Sequence, residues 1–97
     1  MSKKTKRQPT SPGEILLHEF LIPLGVSQSA FARHLGWTRP KINEIVTGKR
    51  GITPETSLVL ADALDTTPQF WLNLQQSVDL WEAEKKHKPV RRLAEIG

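Results

Sequence analysis

Apolar residues recur along the chain at three- and four-residue intervals, and no stretch alternates in the way a strand requires. Helix starts and stops cut this pattern into five short segments. Ser11-Pro12-Gly13-Glu14 opens the first: serine as N-cap, proline at the first helical position, and a glutamate three residues after the cap. Ile15, Leu16 and Phe20 follow, and Pro23 with Gly25 is expected to stop the segment. Ser27 caps the second segment, whose core stripe is Phe31, Ala32 and Leu35 before Gly36. Thr38 caps the third, with Ile42, Ile45 and Val46 inward and Gly48 at its end. Pro40 disfavours a helical Arg39, so a start one residue late is expected there. Thr53-Pro54-Glu55 opens the fourth, with Leu58, Ala61 and Leu64 on its apolar side. Thr67-Pro68 opens the fifth, through Phe70, Trp71, Leu74, Val78 and Trp81 to the charges before Pro89. The expected fold class is therefore all-α.

Ninety-seven residues hold one small domain, and with no cysteine there is neither a disulfide framework nor a thiolate metal site. No apolar run approaches the roughly 18 residues that cross a bilayer. The basic start lacks the apolar stretch of a signal peptide, so a cytoplasmic, nucleoid-associated location is expected. The expected organisation is a flexible basic tail over 1–10, a folded domain over 11–88 and a second flexible tail over 89–97.

A net charge of +4 is weak evidence for a nucleic-acid partner, but its distribution says more. Between positions 33 and 50 stand Arg33, Arg39, Lys41, Lys49 and Arg50, with Glu44 the one acid among them. This cluster overlaps Ser27 to Lys49, where two helices of about two turns each meet around Gly36. Small Ala32 lets the second helix cross closely over the first. Such a pair suits a helix-turn-helix, in which the first helix rests over the phosphates and the second enters the major groove. Thr38, Arg39, Pro40, Lys41, Asn43, Glu44 and Thr47 are left facing outward. Arginine pairs with guanine, asparagine with adenine, and glutamate accepts from cytosine. Gln28 is placed to meet a phosphate, and Lys49 and Arg50 follow the reading helix where the backbone would pass.

Residues 27–65 resemble the Cro/C1-type (Xre) helix-turn-helix family. The wider run from Ser11 to Trp81 resembles its HigA-type antitoxin branch, through SPGEIL, VTGKRGITPETSLVLADALDTTPQFWLNLQ and DLW. The resemblance implies a five-helix, lambda-repressor-like domain. It further implies a dimer that binds a palindromic operator, represses its own operon, and neutralises a HigB-type toxin, a RelE-like endoribonuclease that cuts translated mRNA. By the same resemblance Gln28, Thr38, Arg39, Lys41, Asn43 and Glu44 match positions that face DNA, and Thr47 and Lys49 match positions that touch phosphate. Pro40 departs from the pattern: it cannot donate a hydrogen bond, which leaves it a thymine methyl or nothing to read.

The fifth segment is apolar on more than one side, and so small a domain has no second layer to cover both. Leu72, Val78, Leu80 and Trp81 are the candidates for a two-fold dimer contact. Two roles are open to Trp37: packing on the third helix, or lying against the sugar–phosphate backbone. No enzyme is expected, because His18, His34 and His87 are not spaced as metal ligands and no triad or phosphate loop is present. No metal or cofactor is expected either. Two other functions compete: a small prophage-type repressor without a toxin, and a helical protein-interaction adaptor using the helix-turn-helix only as scaffold.

Overall fold

The computed structural model describes residues 7–95. Lys3, Lys4 and Lys6 of the expected basic tail lie outside the described residues, as does Ile96 at the other end. Five helices are seen among the described residues: α1 (Pro12–Leu24), α2 (Gln28–Leu35), α3 (Arg39–Val46), α4 (Pro54–Leu64) and α5 (Pro68–Lys86). A 3-10 turn, Leu93–Glu95, follows α5. No single helix among them is long and apolar enough to cross a membrane.

Every expected start is an N-cap. Ser11, Ser27, Thr38, Thr53 and Thr67 have extended backbones, and their hydroxyls accept from Glu14, Ala30, Lys41, Thr56 and Phe70 N–H groups at 3.0–3.3 Å. Each bond satisfies one orphan donor of a first turn. At Ser11 the capping box closes, since the Ser11 N–H donates to Glu14 Oε1 at 3.1 Å.

Three local expectations need correction. Gly25 ends α1 as expected, in a left-handed conformation (φ 68°), but Pro23 does not interrupt it. The middle of that helix, Leu16–Leu21, winds as a π-helix, and the Ile22 N–H reaches back to the Leu17 carbonyl. Pro23 has no N–H to place and would crowd the carbonyl four residues back in a regular α-helix. The wider winding accommodates it, and α1 runs on to Leu24. Helix α3 begins at Arg39 itself rather than one residue late. Leu58, expected on the apolar face of α4, is exposed; the buried face there is Thr56, Ser57, Leu60 and Ala61.

The core takes one or two residues from each helix: Leu16 and Leu21, Phe31 and Ala32, Ile42 and Ile45, Leu60, and Trp71, with Ile52 from the α3–α4 loop. Trp71 is fully buried, and its indole N–H donates to Thr66 Oγ1 at 2.7 Å. Phe20 and Phe70 lie 5.5 and 5.0 Å from its ring. Leu74 packs half-buried against this cluster, while Phe70 keeps one edge in solvent. Gly13 is buried where α1 meets the end of α3. A Cβ there would lie 2.6 Å from the Val46 carbonyl oxygen and closer still to that of Ile45. Only glycine lets the two backbones approach so closely.

Candidate nucleic-acid interface

The geometry of the site starts at the turn between α2 and α3. Gly36 takes a left-handed backbone (φ 74°). Its N–H and that of Trp37 donate back to the Arg33 and Ala32 carbonyls at 3.2 and 2.8 Å. This pair of bonds ends α2 and fixes the direction of the chain that enters α3. Ile42 and Ile45 then pin α3 to the core at 0% and 1% exposure. With that face buried, Thr38, Arg39 and Pro40 are exposed, and Lys41, Asn43 and Glu44 are half-buried. Thr47, Lys49 and Arg50 are exposed past the helix end.

Within this surface the side chains are not independent. Asn43 Nδ2 donates to Gln28 Oε1 at 3.2 Å, joining the first residue of α2 to the middle of α3. The sequence suggested a phosphate partner for Gln28 and a base for Asn43, and gave no sign that the two amides meet. The bond holds both rotamers while leaving Gln28 Nε2 and Asn43 Oδ1 for a further partner. Lys41 Nζ sits 3.9 Å from the centre of the Trp37 ring. Trp37 itself packs half-buried against the core, the first of its two expected roles. Glu44 is paired with Arg50, whose Nη2 lies 2.7 Å from Oε1. The Thr47 hydroxyl donates to the Asn43 carbonyl at 2.9 Å. Arg39, by contrast, makes no ion pair or hydrogen bond with any described residue and stands in solvent beside the N-terminus of α3.

A polar clamp missed in the sequence steadies the loop behind the site. Gln75 of α5 accepts the Ile52 N–H at 2.8 Å through Oε1 and donates through Nε2 to Asp79 at 2.9 Å. Glutamine inside an otherwise mixed helix carries no sequence signal for such a role.

The dimer candidates fall on different sides of α5. Leu72 is half-buried against its own core, which reduces what it can offer a partner. Val78 faces a groove of about 640 Å³ shared with Pro9, Val46 and Thr47. Leu80 is 57% exposed, and Trp81 is half-buried under Lys85, whose Nζ lies 4.1 Å from the ring centre.

The chain matches a helix-turn-helix family model over residues 17–71. It is 41% identical over 86 residues to antitoxin HigA-1 of Vibrio cholerae, covering 89% of this chain and 81% of that protein. Among solved structures it is similar to antitoxin GraA in complex with its operator, with a TM-score of 0.80 at 42% identity over 95% of this chain and 98% of that one. The Pseudomonas aeruginosa antitoxin HigA with the higBA promoter matches at a TM-score of 0.80 and 37% identity, over 88% and 98% of the two chains.

Proposed function

This chain belongs to the helix-turn-helix family, and we propose that it is a sequence-specific DNA-binding antitoxin that represses its own toxin–antitoxin operon. Two copies engage a palindromic operator, paired through Val78, Leu80 and Trp81 of α5. The second partner is a HigB-type toxin, a RelE-like mRNA endoribonuclease, which the protein neutralises in the cytoplasm. It acts as a regulator, not as an enzyme. Residues 11–88 are the working domain.

One observation carries this reading: the outward side of α3 is open and polar, with Arg39 and Lys49 making no ion pair with any described residue, on a fold shared with antitoxins solved with operator or promoter DNA. In the complex α3 lies in the major groove. Arg39 pairs with a guanine and Asn43, steadied by Gln28, with an adenine. Thr47 and Lys49 hold phosphates and set the register. A two-fold pair of such helices about 34 Å apart reaches successive grooves on one side of the duplex.

The test is binding to DNA upstream of the operon across a salt series. A dimer neutralising about six to eight phosphates gives a slope of log K against log salt near −5 to −7. Arg39→Ala is expected to weaken specific binding by about 1–3 kcal/mol and to relax the choice at one base pair per half-site. A slope near zero, or an Arg39→Ala protein with its preference intact, would sink the groove-reading role. The toxin assignment is tested apart from this, by co-expression with the neighbouring gene. Relief of growth arrest and co-purification of the two chains are expected.

A further inference from the structure

The loop that leaves α3 folds back on one residue of the reading helix. With Gly48 in a left-handed conformation (φ 81°), the Lys49 and Arg50 N–H groups both donate to the Glu44 carbonyl, at 2.8 and 3.0 Å. The Arg50 guanidinium then meets the Glu44 carboxylate, with Nε at 3.0 Å and Nη2 at 2.7 Å from the same oxygen, Oε1. Glu44 Oε2 accepts no hydrogen bond from any described residue, and the Glu44 side chain keeps 42% of its surface open. One carboxylate oxygen is thus held while the other is left without a partner among the described residues. Arg50 has its charge offset and its Nε and Nη2 donors engaged.

We infer that Glu44 and Arg50 act as one specificity unit: Arg50 is a positioning residue that aims Glu44 at a base edge, and Glu44 in turn keeps Arg50 off the phosphates. The inference rests on the DNA-binding reading above and assigns Arg50 a role other than the backbone contact its position in the sequence suggests. The base edge that suits a free carboxylate oxygen carries an exocyclic amine, the cytosine N4 donor in the major groove. The same charge repels a duplex that places a carbonyl there, so the unit selects by rejection as well as by contact. Holding Arg50 also withholds a sequence-blind attraction. A free arginine beside the backbone would add about one released counterion per subunit to binding of any DNA.

The experiment selects bound duplexes from a randomised pool with wild type, Glu44→Gln, Arg50→Ala and the double variant, and measures the salt slope of each on non-specific DNA. Glu44→Gln and Arg50→Ala are expected to lose the same base preference, by roughly 5- to 150-fold. The double variant is expected to lose no more than either single one. Glu44→Gln is expected to steepen the non-specific salt slope by about 0.9 per subunit, and the double variant to return it to the wild-type value. Because both side chains keep more than two fifths of their surface in solvent, none of these changes should come with a shift in thermal midpoint that a merely structural role would bring. Wild-type selectivity kept by Arg50→Ala, with a shallower slope for the double variant than for wild type, makes Arg50 a phosphate contact and overturns the unit. A wild-type chain that selects no sequence at all overturns the DNA-binding reading itself, which separates the two failures.

Discussion

Trp71→Ala is expected to remove a large share of the chain's stability. The indole is the largest fully buried side chain among the described residues, and it joins Phe20 of α1 to the start of α5. Truncation of a buried tryptophan costs about 3–5 kcal/mol, through lost transfer energy and the cavity that remains. A domain of this length has a total stability of about 5–15 kcal/mol. The thermal midpoint should fall by more than about 12 °C, read by circular dichroism. Trp71→Phe separates the two contributions, since it keeps much of the volume but strands the Thr66 hydroxyl, which now accepts the indole N–H. A smaller loss is expected for it. A change below about 1 kcal/mol in Trp71→Ala would mean that this ring is not the keystone of the α1–α5 contact.

Gly13→Ala is expected to be nearly as damaging, from the addition of one methyl group. The added carbon would press on the Ile45 and Val46 carbonyls, which are backbone atoms and cannot swing aside. Either α1 lifts or the end of α3 shifts, at about 3 kcal/mol or more. Because the shift falls on the reading helix, specific DNA affinity should drop further than the lost folded fraction explains. Ser11→Ala is the control: it removes the cap of the same helix at about 1 kcal/mol and leaves the close approach intact. Equal effects of the two substitutions on DNA affinity would discount the backbone contact.

These two positions mark what the sequence does and does not reveal. Helix starts were readable residue by residue, because a Ser or Thr cap with its N–H partner is a local event within four residues. The inward sides of α2 and α3 were readable for the same reason, from period alone. What stayed hidden depends on partners far along the chain or on unusual backbone. Gly13 read as part of a start signal, while its actual demand comes from α3. The π-wound middle of α1 has no residue signature, and Pro23 was misleading there. Helix α4 ends on Asp65 in a left-handed conformation (φ 55°), where the expected marker is glycine. On the candidate interface the residues expected to face outward are exposed at Thr38, Arg39, Pro40 and Thr47 and half-buried at Lys41, Asn43 and Glu44. Their mutual pairing, Gln28 with Asn43 and Glu44 with Arg50, needed three dimensions.

The way α3 is anchored bears on how such a protein diversifies. Its hold on the rest of the chain comes from Ile42 and Ile45 beneath, from the Asn43 bond to Gln28, and from the close approach of Gly13 to its last turn, while Thr38 and the backbone bonds of Thr47, Gly48 and Lys49 close its two ends. Arg39 and the solvent-facing atoms of its neighbours contribute almost nothing to that hold. On the proposed DNA-binding reading, descendants of this gene can therefore rewrite their address on the chromosome at a few positions with little penalty in folding, and a duplicated copy can part from its sibling's target within a handful of substitutions.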